Sequence, residues 1–283
     1  MPQARSRIVL VFTFALIGLT IGLAPRIYAQ RSISVRVQRW VLVKQLTGSV
    51  KYLTSSETRE ADVGDRLTKV RDGVRTGANA SSILEVDTGI GTITLNEKTE
   101  VTVKKLDYAP DNGRITHLYV AQGQVNVNLR RFTHQGSELE IETPTGVSGV
   151  RGTEFGVLVQ PDGTTGVSTR SGEVAVTAQA RTVAVEAGYQ TLMRPGLPPT
   201  TPTLLPTQPF FEYRVERLFH RGQRLALLIG RIDPINQVYI EDELQPLSPS
   251  GEFGYGIPHR QDRITVTVLT PLGDETDYDI SLF

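Results

Sequence analysis

Histidines, carboxylates and one glycine–serine segment are the parts of this chain that could do chemistry, and their spacing matches no catalytic motif. The 283 residues include four histidines and no cysteine, which excludes thiol catalysis, disulfides and cysteine-bound metal. His117, His134, His220 and His259 stand in no motif with a carboxylate or nucleophile, so we expect surface or turn positions for them. The segment 146–150 (Gly-Val-Ser-Gly-Val) lacks the final glycine of a nucleophile elbow. The sequence therefore predicts a protein that is not an enzyme, without metal ligands or a cofactor.

Acidic residues leave two alternatives open. Carboxylate pairs are plentiful, so a glycosidase pair remains an alternative, although one tryptophan and 7% aromatic residues do not indicate an aromatic-rich cleft. A second group of carboxylates, near the carboxyl terminus, could be interpreted as calcium ligands, but it lacks the EF-hand spacing. We expect a solvated acidic face there, with calcium binding as the alternative. This group comprises Glu241, Asp242, Glu243, Asp274, Glu275, Asp277 and Asp279.

The composition indicates an all-β protein that does not bind nucleic acid. Lys and Arg number 30 and Asp and Glu number 30, so the formal charge is zero and there is no overall basic field. The chain has 29 valines and 31 threonines, and β-branched residues suit a pleated, half-buried surface. Its 26 glycines supply turns.

Residues 1–29 have the features of an export signal. Arg5 and Arg7 precede an apolar run of 16 residues from Ile8 to Leu23, which is shorter than the roughly 20 residues that span a bilayer. Ala29 ends a loose cleavage site. We expect a cleaved signal peptide, with an uncleaved anchor as the alternative. The rest of the chain would then lie in the periplasm, at the cell surface or outside the cell, and would contact the inner membrane only through a retained segment.

A proline-rich stretch divides the exported part. Six of the sixteen prolines fall in residues 195–209, and proline fixes its own φ and lacks a backbone donor. We therefore expect an extended, semi-rigid linker between a body at 30–194 and a carboxy-terminal module at 210–283. Both parts are expected to fold independently, with the module flexibly tethered.

Apolar and polar residues alternate along the body with a period of two, which predicts half-buried strands. Leu139 with Ile141 is one such run, and Phe155 with Val157 and Val159 is another. No stretch after residue 30 has a convincing helical period. The fold class expected is all-β, with a β-roll, a short solenoid or a sandwich-like arrangement in the body.

An ordered series of short motifs runs through this body. It consists of Gly48-Ser-Val50, Gly64-Asp65, Arg75-Thr76-Gly77, Gly123-Gln-Val125, Pro144, Arg151-Gly152-Thr153-Glu154-Phe155, Gly172-Glu-Val174 and Gly188. In order and spacing these residues resemble the FecR domain of bacterial envelope proteins, over residues 38–190. We expect these signature residues to act structurally rather than as ligands.

The resemblance implies an interaction or sensing module. The best-known FecR proteins are transmembrane regulators whose cytoplasmic part holds a sigma factor and whose periplasmic part responds to an outer-membrane receptor. Only seven residues precede the apolar run, so we expect the sigma-binding part to be missing. We expect a non-catalytic envelope protein whose partner is an envelope protein or a polysaccharide. The alternatives are a secreted carbohydrate-binding or carbohydrate-active protein and a membrane-anchored signalling component.

The segment 151–155 allows two interpretations. It could be a loop that grips a phosphate or a partner, or a tight corner in which Arg151 bonds backbone carbonyls or a carboxylate. No helix follows to supply a dipole, so we favour the corner. We expect a positive φ at Gly152 and Phe155 in the core. Arg151 would be either solvated or the counter-ion of a buried Glu154.

Alternating runs also mark the carboxy-terminal module, at 225–229 and 264–268. They resemble a bacterial immunoglobulin-like module, and the resemblance implies a small sandwich of seven or so short strands. Such modules usually carry Asn-Gly where this chain has Glu241-Asp242. The hairpin turn expected there would lack glycine's easy access to positive φ.

Overall fold

The computed structural model describes residues 38–220, 223–257 and 263–281, and within these ranges the protein is all-β. They belong to one compact unit, Gln38–Phe283. Within this described part no helix is long and apolar enough to cross a membrane. The signal or anchor predicted for residues 1–29 lies outside the described residues.

Seventeen strands build the body and the stretch that follows it. They are β1 (Val41–Thr47), β2 (Val50–Leu53), β3 (Thr58–Glu60), β4 (Arg66–Leu67), β5 (Gly73–Thr76), β6 (Ser81–Val86), β7 (Gly91–Leu95), β8 (Glu100–Tyr108), β9 (Arg114–Leu129), β10 (Glu138–Glu142), β11 (Val147–Val150), β12 (Glu154–Val159), β13 (Thr165–Ser171), β14 (Glu173–Ala178), β15 (Arg181–Glu186), β16 (Tyr189–Met193) and β17 (Thr203–Leu204).

These strands form two layers that share β9. One layer has the order β4-β1-β6-β7-β9-β12-β13-β16-β17, and the other has the order β3-β2-β5-β8-β9-β10-β11-β14-β15. The first half of β9 pairs with β8 and with β10, whereas its second half pairs with β7 and β12. The β9–β10 pair is parallel. Strand β9 therefore carries the chain from one layer to the other.

The bend in β9 lies at Gly123, where φ is +91°. A Cβ there would meet Thr99, with the Thr99 Cβ only 2.8 Å away. The two layers enclose one core in which valine is the commonest residue, and the largest fully buried side chain in it, Phe155, is 1% exposed. The predicted alternation contributes to this core, because every second residue of strands such as β6 and β10 is buried.

Residues 195–209 are attached to the body along part of their length. Strand β17 pairs with β16, so that Tyr189 lies opposite Leu204. The Thr200 amide donates to the Leu192 carbonyl at 3.0 Å, and the Leu205 amide donates to the Gly188 carbonyl at 2.8 Å. The stretch begins with a turn, in which the Leu197 amide donates to the Arg194 carbonyl at 3.1 Å, and it follows the body rather than forming a free tether.

Seven strands follow, in two sheets. They are β18 (Phe211–His220), β19 (Gln223–Ile232), β20 (Gln237–Ile240), β21 (Glu243–Leu244), β22 (Glu252–Ile257), β23 (Arg263–Leu269) and β24 (Glu275–Ser281). The orders are β18-β19-β22 and β21-β20-β23-β24. Both sheets contribute to a second core, which includes Leu228, Phe253 and Val266. At the β20–β21 turn, Glu241 and Asp242 adopt φ of +52° and +64°. The turn thus reaches positive φ without glycine.

Candidate functional site

The backbone is tightly packed at Gly152. Its φ is +113°, and a Cβ on it would lie 2.7 Å from the Arg131 nitrogen and 3.1 Å from the Arg130 carbonyl carbon. Non-glycine residues rarely adopt this conformation. The segment 151–153 therefore crosses directly against the end of β9, in the tight corner that the sequence favours.

Side chains on the two sides of this corner have different environments. Thr153 and Phe155 are buried, and Phe155 belongs to the core. Arg151 is exposed, and its side chain makes no hydrogen bond or ion pair with a described residue, whereas its backbone carbonyl accepts from the Phe132 amide at 3.4 Å. Glu154 is only half-buried, and its nearest cation is Arg170, with Nη1 and Oε1 3.6 Å apart. Of the two environments expected for Arg151, the solvated one is present.

A groove of about 420 Å³ lies beside the corner, and we call it the corner groove. Gly149 and Ala175 form its floor, since these small residues lie opposite each other on β11 and β14. Arg131 and Arg151 stand on one side of it. Three glutamates also line the groove, namely Glu138, Glu140 and Glu173. Both signs of charge therefore meet in one open depression.

A second groove of about 510 Å³ shares Arg131 with the first, and we call it the basic groove. Its lining contains Arg114, Arg130, Arg131 and His134 but no carboxylate among the described residues. Arg130 is held by the Gly89 carbonyl, to which its Nη2 donates. Arg131 is exposed and has no described counter-ion. This lining gives the groove a positive field that suits an anionic group.

Asp111 orders the loop that carries His134. Its carboxylate accepts hydrogen bonds from the Gly113 amide at 2.9 Å and the Gly136 amide at 2.8 Å. These backbone donors, Gly136 first, hold the pKa of the Asp111 carboxyl below its ordinary value. The loop is thus fixed by backbone contacts, and His134 is exposed, as expected.

His117 differs from the expectation of a motif-free surface histidine. It lies within β9, with Nε2 3.0 Å from Glu138 Oε1 and Nδ1 3.4 Å from Glu140 Oε2. Its side chain is 16% exposed. The sequence did not show this grouping because it depends on the parallel pairing of β9 with β10, across 21 residues of chain. The structure describes only the backbone of His220, and His259 lies outside the described residues.

Several signature residues meet away from the corner. Val50 lies opposite Thr76 on β2 and β5, and the Gly77 amide donates to the Ser49 carbonyl at 2.9 Å. The Thr76 hydroxyl accepts a hydrogen bond from the Thr99 amide, next to the bend at Gly123. Val125 lies beyond that bend and is fully buried. These contacts join β2, β5 and β9 at one end of the body.

The other signature residues lie in or next to turns. Gly172 packs closely against Thr153, because a Cβ added to Gly172 would lie 2.6 Å from the Thr153 side chain. Val174 lies opposite Val150 on the neighbouring strand. Arg59 donates to the Asp65 carboxylate and lowers the pKa of that group. The remaining positions are Gly48 between β1 and β2, Gly64 before Asp65, Arg75 paired with Glu100, Pro144 between β10 and β11, and Gly188 between β15 and β16.

The carboxy-terminal acidic residues do not form one cluster. Asp277 accepts from Thr267 and Asp279 accepts from Thr265, on an exposed face of β23 and β24. Asp274 lies 3.2 Å from Arg170. The one described group close enough to hold a metal is His117 with Glu138 and Glu140.

Comparisons with known proteins agree with the motif series. A family model described as FecR protein matches residues 72–175. Two crystal structures of a candidate anti-sigma factor from Parabacteroides distasonis are similar at 17% identity and a TM-score of 0.39, over 47% of this chain and 59% of that chain. No curated protein matches the chain. The FecR match covers every residue that lines the two grooves.

Proposed function

We propose that this chain is an exported, non-catalytic protein of the cell envelope whose FecR-type body is an interaction module. The FecR match supports the module, and the apolar run 8–23 supports export. The seven strands at the carboxyl end, in two sheets around one core, support an immunoglobulin-like module.

One observation carries the proposal for how the module binds. Arg131 and Arg151 are both exposed, have no described counter-ion, and stand at a corner whose backbone is fixed by packing at Gly152. Each guanidinium group can bind a carboxylate or phosphate through two hydrogen bonds, and the rigid backbone fixes the positions from which the two side chains extend. The partner would therefore present anionic groups to Arg131, where the two grooves meet. An acidic envelope protein satisfies this chemistry.

Binding is tested by crosslinking the native envelope with the full chain in place. We expect Arg131→Glu with Arg151→Glu to abolish capture of the partner that the unsubstituted chain captures. Arg181→Glu is the matched control, because Arg181 is exposed on β15 outside both grooves. Equal capture of the partner by the unsubstituted chain, the double variant and the control would show that the grooves are not the binding site. Capture of an acidic polysaccharide instead of a protein would favour the carbohydrate-binding alternative.

Export is tested by fractionation and amino-terminal sequencing. We expect the protein outside the cytoplasm, with a mature chain that begins at Gln30. Recovery of the native protein in the cytoplasmic fraction would contradict the proposal. An intact amino terminus in the membrane fraction would instead favour a retained anchor.

A further inference from the structure

A second site lies at the edge of the corner groove, on the outer face of β9 and β10. We propose that His117, Glu138 and Glu140 bind a divalent transition metal ion of the zinc class. Its three residues are different from Arg131 and Arg151, although Glu138 and Glu140 line the corner groove together with these arginines.

The strand register places the three residues together. Glu140 is the direct neighbour of His117 on the parallel strand, and Glu138 lies two residues earlier on the same face. One ligand atom from each side chain lies within 4.8 Å of the others. Tetrahedral zinc, with bonds of about 2.0–2.2 Å, places its ligand atoms about 3.3–3.6 Å from one another, which is more than about 1 Å below this limit. Zinc binding therefore requires rotation of the three half-buried side chains to bring their ligand atoms together.

The charges of the site also favour the binding of a cation. Neither Glu138 nor Glu140 makes an ion pair with a described lysine or arginine; the described ion-pair contact of each carboxylate is with His117. Glu142, two residues further along β10, does have a cationic partner, because its carboxylate lies 3.6 Å from the Lys104 ammonium group. Two carboxylates carry a charge of minus two, which a divalent ion bound by both of them and by the imidazole would neutralise. Imidazole as a ligand favours zinc, nickel or copper over calcium and magnesium.

The corner groove gives the ion its open positions. Glu138 and Glu140 both line it, and Gly149 is their neighbour on β11. A Cβ added to Gly149 would have no other atom nearer than 4.0 Å. The space above the sheet is therefore free at this point. Three protein ligands with an open side leave room for water or for an anionic group of a ligand.

The test is a zinc titration of the full chain, purified in detergent without a histidine tag and stripped with a chelator. We expect calorimetry to show one zinc ion per chain, and Co²⁺ to give visible absorption bands of a site with nitrogen and oxygen ligands. Glu140→Gln and Glu138→Gln keep the shape of the side chain and should each weaken zinc binding about tenfold or more. His117→Ala should abolish it.

Two control variants separate the site from nonspecific binding. Glu142→Gln removes the neighbouring carboxylate on β10, and His134→Ala removes an exposed histidine outside the site; neither should change the affinity. The proposal is overturned if the unsubstituted chain binds no zinc, or if Glu140→Gln and Glu138→Gln bind as tightly as it does. Should His117→Ala fail to fold, the two glutamine variants still decide the question.

Discussion

The side-chain amide of Gln124 donates to the Pro271 carbonyl, with nitrogen and oxygen 2.8 Å apart. This bond joins β9 of the body to the turn between β23 and β24. Asn126, the next residue on the same face of β9, donates in the same way to the Leu272 carbonyl at 2.9 Å. Gly156 on β12 lies below that turn, and any side chain there would collide with Pro271. The carboxy-terminal sheets are therefore docked on the body and not flexibly tethered to it.

Gly156→Val should break this docking. The added Cβ would lie far inside contact distance of the Pro271 carbonyl and 2.8 Å from the Leu272 Cα, and both are backbone groups that cannot move aside alone. We expect limited proteolysis to cut residues 195–209 faster than in the unsubstituted chain. Gly256→Val is the control, because a Cβ at Gly256 meets nothing within 4 Å. Equal cleavage rates in the two variants would show that the turn is not a fixed contact.

The same digestion tests whether the body and the carboxy-terminal module fold independently, which stays a prediction. Fragments that keep cooperative melting transitions after the cut would support it. Loss of structure in either fragment would show that the docked surfaces are needed for folding.

Local patterns predicted the strands better than they predicted the contacts between them. The alternation of Leu139 and Ile141 directly gives β10, because a strand repeats its environment every two residues. The polar residues Gln124 and Asn126 alternate in the same way on β9, but nothing near them in sequence indicates that Pro271 covers them. The grouping of His117 with Glu138 likewise depends on a register that forms only in the folded sheet.

Gly152→Ala should destabilise the body more than Gly64→Ala does. Both glycines have a positive φ near +100°, so both variants carry backbone strain. A Cβ at Gly64 meets nothing, whereas one at Gly152 meets the backbone of Arg130 and Arg131. Urea denaturation should therefore show that Gly152→Ala lowers the free energy of unfolding by about 1–3 kcal/mol more than Gly64→Ala does. Equal losses would mean that φ, and not close packing, requires glycine at the corner.

Phe155→Ala should lower the free energy of unfolding by about 3–5 kcal/mol, because it leaves a cavity in the core. Phe155 is 1% exposed. Leu197→Ala, at a residue that is 52% exposed, should change stability by no more than about 0.5 kcal/mol. If Phe155→Ala melts like the unsubstituted chain but loses the envelope partner, residue 155 belongs to a binding surface and not to the core.

Tyr239 should titrate well above an ordinary tyrosine. Burial, followed by the nearby carboxylates of Glu97 and Glu275, raises its pKa to about 12. The folded state thus favours the neutral phenol, and its contribution to stability is complete below the unfolded pKa of about 10. That contribution is lost as the pH rises from about 10 to about 12. Because the pKa of Tyr52 is also raised to about 12, ultraviolet titration of Tyr239→Phe should lose one of two phenolates that form near pH 12; an unchanged curve would contradict the assignment.

The last prediction concerns a buried ion pair that fixes the start of the body. Arg39 and Asp87 are 5% and 6% exposed, and Nη2 lies 2.6 Å from Oδ2. Arg39 also donates to the Thr116 hydroxyl at 2.6 Å and to the Asp107 carbonyl at 2.7 Å. The guanidinium therefore links the residues before β1 to β8 and β9. Arg39→Leu leaves the Asp87 carboxylate buried with only the more distant Arg114, at 3.9 Å.

We expect Arg39→Leu to lower the free energy of unfolding by about 3–5 kcal/mol, since removing one partner of a buried pair leaves an uncompensated charge. Arg75→Leu is the matched control, because the Arg75–Glu100 pair is exposed and its loss should cost no more than about 1 kcal/mol. Adding Asp87→Asn to Arg39→Leu removes the buried charge and should restore part of the stability, while asparagine tolerates the φ of +45° at this position. Urea denaturation of the three variants measures these differences. If Arg39→Leu costs no more than Arg75→Leu, water reaches the pair and it does not organise the body.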